Sequence, residues 1–317
     1  MNATTELSGR CEGMQVQRWP VPLSIVTSAY NEVGNVIPFL TAAVEALQQL
    51  KVSAEILYVD DGSSDGTADA VSAFVETNPG VSIRLIRHAF CRGITAAIQE
   101  SIEMAQGEWI CFVPADMESN PAVDIPLLYN AMDGRTDVVV GCRQGRNDGK
   151  LFASRIYNAM NYWFFKIRLR DANWIRLIRH DKLLGLQLRS DWHRFVLPIL
   201  GHKGCRFKEV ETQWQQRSFG RSNFGLKRFP VSLTDMLTIK FLLVYGERPL
   251  LFFGWLAFLS FGVSLILFLM AFYSGSGNYE IFMFFQVLGA ATAIVAALCL
   301  GLGLVGELIL GWRSPKS

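Results

Sequence analysis

The sequence predicts an α/β domain built on a mainly parallel sheet, followed by a C-terminal two-helix transmembrane hairpin. Three observations carry that prediction. Short β-branched runs alternate with amphipathic stretches between Val21 and Cys142, the pattern of βαβ units. Of the 30 Lys and Arg, only Arg313 and Lys316 follow Arg248, and of the 28 acids only Glu280 and Glu307 do. The polar motifs of the first part fall directly after its apolar runs, where ligands bind in parallel sheets.

The elements follow in order. After Pro20 and Pro22, LSIVTSAY reads as a buried strand, and Val36 to Leu50 has helical spacing. AEILYVDD is the second strand and Thr67 to Thr77 the second helix. VSIRLIR, the helix Ile94 to Ala105, and EWICFVPA continue the alternation. After another helical segment, DVVVGC makes a fifth strand. Right-handed crossovers then set one parallel sheet. Its carboxyl edge would gather Asn31 and Glu32, Asp60 and Asp61, Arg92 and Gly93, and Asp116 and Glu118.

The tail is of a different kind. PLLFFGWLAFLSFGVSLILFLMAFY (249–273) is long enough for the roughly 30 Å hydrocarbon core of a bilayer. A polar SGSGNYE turn separates it from a second apolar run, 281–310. Arg248, Arg313 and Lys316 flank the pair while the turn has no basic residue, so the positive-inside rule puts head and both termini in the cytoplasm. The expected organisation is an N-terminal extension (1–20), a catalytic head (21–230), a juxtamembrane interfacial helix (231–248), the hairpin (249–312) and a cytoplasmic tail (313–317). Glu307 is costly at membrane depth, which points to a function, a partner or a nearby interface.

Composition excludes several classes. Half the residues are hydrophobic and 18% charged, so a wholly soluble enzyme does not fit. A net charge of +2 gives no reason to expect nucleic acid. The six cysteines show neither CxxC nor Cys/His spacing, so neither a disulfide framework nor zinc is expected. The first residues lack the basic and apolar regions of a signal peptide.

Residue chemistry narrows the head's work. Asp116 and Glu118 offer hard oxygen ligands for Mg²⁺ or Mn²⁺ shared with a diphosphate. Asp60 and Asp61 suit a base or ribose better than a phosphate, which they would repel without a metal. A calcium loop beginning at Asp61 fails at its twelfth position, Ser72, where a bidentate acid is needed. In YNAMNYWFFKIRLR and the residues before it, Ile156, Met160, Trp163, Phe164 and Ile167 share one helical face. That face fits a membrane interface, a core or an oligomer contact.

Across Val21 to Phe229 the ordered motifs TSAYNEVGN, YVDDGSSDGT, RGITAA, VPADMES, VVVGCR, DWHRFVLPIL and RSFGRSNFG resemble family 2 glycosyltransferases of the GT-A fold. With the hairpin and its GLVGE, the chain resembles the polyprenyl-phosphate glycosyltransferases, dolichyl-phosphate mannose synthase and the undecaprenyl-phosphate sugar transferases among them. The resemblance implies that Tyr30, Glu32, Asp60 and Asp61 hold the nucleoside of a nucleotide-sugar, with Arg92 and Gly93 beside it. It makes Asp116 the central ligand of the DxD-type metal motif. It also implies that His193, Arg194, Arg217 and Ser222 frame the acceptor phosphate or the sugar diphosphate. QWQQRSFG lacks the QxxRW of processive polysaccharide synthases. The family's Asp-Ala-Asp-Leu-Gln is here Pro114-Ala115-Asp116-Met117-Glu118, with one acid lost and another gained.

The expected reaction is inverting transfer of a sugar from a UDP- or GDP-sugar to a polyprenyl phosphate at a lipid bilayer, with Asp116, Arg217, His193 and Arg194 carrying it. No nucleic acid is involved, and a homo-oligomer is compatible with the sequence. Two alternatives stand beside this reading. One is a catalytically degenerate homologue acting as a nucleotide-binding or scaffold subunit. The other is transfer to a lipid hydroxyl, for which Asp191 beside His193 would be the base.

Overall fold

The computed structural model describes residues 19–145, 159–217, 219, 229–274 and 279–313. The chain forms two compact units, 1–224 and 225–317.

The first unit is built on a seven-stranded sheet, β1 (Val21–Ala29), β2 (Ala54–Asp60), β3 (Ser82–Arg87), β4 (Gly107–Phe112), β5 (Val138–Gln144), β6 (Arg176–Arg179) and β7 (Phe207–Gln213). Their order across the sheet is β3-β2-β1-β4-β6-β5-β7. β1, β2, β3 and β4 pair in parallel, as does β5 with β7, whereas β6 runs antiparallel to both β4 and β5. The parallel half is as the alternation predicts. DVVVGC does not continue it directly, because β6 is wedged between β4 and β5.

The helices α1 (Val33–Leu50), α2 (Thr67–Thr77), α3 (Ile94–Met104) and α4 (Pro121–Asn130) are the crossovers. Each turns an apolar stripe inward: Val36, Phe39, Leu40 and Ala43 of α1 are buried against Ile25, Ile56 and Tyr58. α2 ends where its sequence pattern does. β1, β2 and β4 are buried on both faces, which explains their near-continuous apolar runs, while β3 at the sheet's edge is partly exposed. β1 has β2 on one side and β4 on the other, so the strand order reverses there. Its carboxyl end is the switch point where such sheets bind ligands.

Past β5, residues 159–165 are helical (α5). α6 (His180–Leu183), a 3₁₀ turn (Trp192–Phe195) and α7 (Val196–His202) lead to β7. Ile156 lies outside the described residues. Met160 and Phe164 are half-buried, while Trp163 on the same short helix is exposed.

The second unit holds α8 (Phe229–Tyr245), α9 (Pro249–Ser274) and α10 (Tyr279–Arg313). α9 and α10 are each long and apolar enough to cross a membrane. Their large side chains are largely exposed, Phe258, Phe261, Leu269 and Leu298 among them, so the pair suits a lipid environment. Three details fasten α9 to α10. Ser264 Oγ donates to the Gly289 carbonyl at 2.8 Å, and Glu307 accepts from the Leu250 N–H at 3.2 Å. A Cβ on Gly306 would stand 2.7 Å from the Pro249 ring, so only glycine allows this approach.

Candidate active site

The site starts with how two loops at the switch point are laced together. Ser63 Oγ accepts the Asn31 N–H at 2.8 Å, and Asn31 Oδ1 accepts the Ser64 N–H at 2.9 Å. Thr67 Oγ1 accepts from Glu32 N and Asp65 Oδ2 from Val33 N, both at 3.0 Å. Asp65 thereby satisfies an orphan N–H at the start of α1, which has no side-chain cap of its own. So Ser63, Asp65 and Thr67 of DDGSSDGT are scaffold. They leave Tyr30 49% exposed at the edge. Glu32 accepts from Asn35 Nδ2 at 2.5 Å.

Asp60 and Asp61 are neighbours with different surroundings. Asp60 is wholly buried; its Oδ1 accepts from Ser63 N at 3.1 Å, and its Oδ2 has no hydrogen-bond partner among the described residues. Asp61 spends both oxygens on the protein. Oδ1 accepts from His88 Nδ1 at 2.6 Å and Arg92 N at 2.8 Å; Oδ2 accepts from Gly93 N at 2.8 Å and the Cys91 thiol at 3.2 Å. Burial alone would raise its pKa, but the bonds from His88, Arg92, Cys91 and Gly93 prevail and hold it below the ordinary value. With these bonds Asp61, which the resemblance places at the nucleoside, also clasps the 91–93 loop. His88 reaches on to Glu100 at 3.0 Å, and Arg92 pairs with the same Glu100 oxygen at 2.9 Å. His88 and Glu100 carry no motif, and only the fold reveals their part.

The third element is the turn after β4. Met117 adopts φ +58°, and Asp116 Oδ1 accepts the Glu118 N–H at 3.1 Å. The left-handed residue between the two acids presents both carboxylates to one guanidinium. Arg217 Nε donates to Glu118 Oε1 at 2.7 Å, and its Nη2 pairs with Asp116 Oδ2. The backbone prepares this contact, since Gln215 N donates to the Glu118 carbonyl at 2.9 Å just beyond β7. Burial, with Glu118 and Glu32 nearby, outweighs the Arg217 charge and lifts the Asp116 pKa to about 6.

His193 and Arg194 lie on the 3₁₀ turn. His193 Nδ1 stands 3.0 Å from Thr95 Oγ1, at the start of the helix that Gly93 opens, so His193 joins the same edge. Arg143 of VVVGCR is held by Asp171 in a bidentate pair at 2.5 and 3.0 Å and stacks on Trp174. Those residues brace the β5 end. Ser222 lies outside the described residues. Asp191 is exposed, with φ +64°.

The donor set suits a divalent cation: two carboxylates, hard oxygen donors, already converge on one positive group. Among the described residues no cluster of three or more His, Cys, Asp or Glu could hold a metal, so a bound phosphate or water would complete the shell.

A model of glycosyl transferase family 2 matches residues 24–195. The chain is 29% identical over 240 residues to a dodecaprenyl-phosphate galacturonate synthase of Rhizobium johnstonii, covering 73% of this chain and 70% of that protein. It is 29% identical over 298 residues to an undecaprenyl-phosphate 4-deoxy-4-formamido-L-arabinose transferase of Sodalis glossinidius, covering 90% and 88%. Among solved structures, glucosyl-3-phosphoglycerate synthase from Mycobacterium tuberculosis, in complex with Mg²⁺ and uridine diphosphate, superposes with a TM-score of 0.52. At 15% identity, over 70% of this chain and 79% of that one, the likeness is one of fold. The head has the expected GT-A fold.

Proposed function

The chain belongs to glycosyl transferase family 2, and from that premise we propose that it moves a sugar from a UDP- or GDP-sugar to a polyprenyl phosphate. One observation carries the reading. The catalytic head continues into two membrane-length helices, and that whole arrangement matches relatives named for polyprenyl-phosphate transfer over 90% of the chain. The head would then work at the cytoplasmic face of the bilayer, with both termini on that side and the stretch 231–248 along the interface.

The acceptor's chemistry explains what the site contains. A phosphate monoester with a second pKa near 6 is largely dianionic at neutral pH and is already a nucleophile. A strong general base is unnecessary, and the exposed Asp191 need not act as one. The protein's work is to align that phosphate behind the anomeric carbon and to stabilise the leaving diphosphate. Asp116 and Glu118 would hold a Mg²⁺ or Mn²⁺ ion, whose charge offsets that of the leaving group.

Other residues divide the remaining tasks. Tyr30, Glu32 and Asp60 border the nucleoside, Asp60 with an oxygen to spare. Asp61 serves through the loop it clasps, which fixes Arg92 and Gly93. His193, placed by Thr95, and Arg194 would meet the acceptor, a role that the resemblance also gives to Ser222. Arg217 supplies the planar fork that suits phosphate. In-line displacement inverts the anomeric centre.

The test is direct. Full-length protein in detergent is incubated with a panel of UDP- and GDP-sugars and undecaprenyl or dolichyl phosphate, and the lipids are weighed by mass spectrometry. One donor should add one sugar mass to the polyprenyl phosphate. Sugar found only on a hydroxyl lipid, or no donor consumed, would overturn the reading.

A further inference from the structure

Arg217 stands where a cation would be needed. It pairs with Asp116 and with Glu118, and the side chains of the three are only 28%, 13% and 19% exposed. The Gln215 backbone bond to the Glu118 carbonyl tethers the segment, so the contact is prepared by the main chain and does not depend on a wandering side chain. An arginine cannot be deprotonated in a protein, and it therefore competes with any other cation at those oxygens at every working pH.

We propose that Arg217 is a resident counter-ion of the Asp116 and Glu118 carboxylates, which keeps divalent cations out until a nucleotide diphosphate draws the guanidinium away. The inference rests on the transferase reading above. A diphosphate offers the guanidinium the same kind of paired anionic oxygens that the two acids do. Once Arg217 turns to it, both carboxylates become available together. Cation and nucleotide then bind cooperatively, and each raises the affinity of the other by the same factor. The device guards against occupation of the empty enzyme by metal.

The experiment follows free Mn²⁺ by electron paramagnetic resonance during titration of the full-length protein in detergent, with and without UDP or GDP. Wild type should bind Mn²⁺ weakly alone and at least about tenfold more tightly with its nucleotide. Arg217→Gln should bind Mn²⁺ at least about tenfold more tightly than wild type without nucleotide, and should lose most of the coupling. Arg217→Lys, which keeps the charge, should stay near wild type. If the Gln variant does not fold by circular dichroism, Arg217→Ala carries the same expectation. A tightening is something that mere structural damage does not produce. Should the variant bind Mn²⁺ no better than wild type while the nucleotide complex does bind it, the counter-ion role is wrong and the metal reading stands. Absence of Mn²⁺ binding in every form and with either nucleotide would sink the metal reading, and this inference with it.

Discussion

Glu307, near the end of α10, accepts a hydrogen bond at 3.2 Å from the backbone N–H of Leu250, the second residue of α9. The first N–H groups of a helix have no partner within it, and in a bilayer water cannot supply one. Pro249 removes one such donor and Glu307 satisfies the next. The acid that looked costly in the sequence thus caps the neighbouring helix. Glu307→Ala should lower the stability of the full-length protein in detergent by about 0.5–2 kcal/mol, the usual cost of a lost N-cap. Glu307→Gln, which retains an acceptor, should lose less. Thermal unfolding of the three forms decides it, and equal midpoints would show that the contact contributes nothing.

The Asp61 clasp predicts a pH dependence. Its folded pKa lies below the ordinary 3.8, so its contribution is present above that value and fades as pH falls through the lower, folded one. Asp61→Asn turns an amide N–H₂ toward donors and should cost about 2 kcal/mol at neutral pH, the scale of a hydrogen bond to a charged group. The gap between variant and wild type should stay constant down to about pH 4 and then narrow. Denaturation measured across that range tests the sign. A gap that widened in acid would contradict the assignment.

Gly62 and Gly66 both sit at positive φ, +77° and +95°, but differ in surroundings. A Cβ on Gly62 would lie 2.5 Å from the Phe90 carbonyl carbon, while one on Gly66 meets nothing within 4 Å. Gly66→Ala should therefore cost only the backbone strain, about 1–2 kcal/mol. Gly62→Ala should cost more, and it should also weaken nucleotide binding by pushing the 90–91 backbone away from Asp61. Calorimetry with UDP and GDP on both variants separates the two effects; equal nucleotide affinities would mean that this close approach is irrelevant to binding.

The parallel half of the sheet was legible because β1, β2 and β4 are buried on both faces, and their apolar runs advertise it. β6 was not. Its RLIR is four residues long with arginine at both ends, too short and too charged to show a period. β7, FKEVETQ, is a half-exposed strand at the sheet's edge with little apolar content. Motif residues at the site were legible as types, but not their division of labour. Of these neighbours in sequence, Asp60 bonds Ser63 of its own loop, whereas the 88–93 loop supplies the partners of Asp61. Arg217 and Glu118 are 99 residues apart, and only the β7 exit places them together.

The two acids at the β4 exit are not equivalent. Asp116 is the inner of the pair, tied to the Glu118 N–H and to Arg217, and it is the less exposed. Asp116→Asn should reduce transfer by about 10²–10³, the scale of losing one preorganised charge-stabilising group. Glu118→Gln should leave the maximal rate closer to wild type and raise the Mn²⁺ concentration for half-activity by about tenfold. Pro114 is half-buried just past β4, and the ladder bond there is made by Val113 N to Val26 O, so Pro114→Asp breaks no backbone bond. The added carboxylate should be tolerated and should restore most of the Mn²⁺ affinity in the Glu118→Gln background. Metal titrations of transfer on the single and double variants give the answer. If Pro114→Asp fails to rescue, position 114 does not face the cation. If the unmodified chain transfers nothing and gains activity only with Asp at 114, the degenerate, nucleotide-binding reading takes its place.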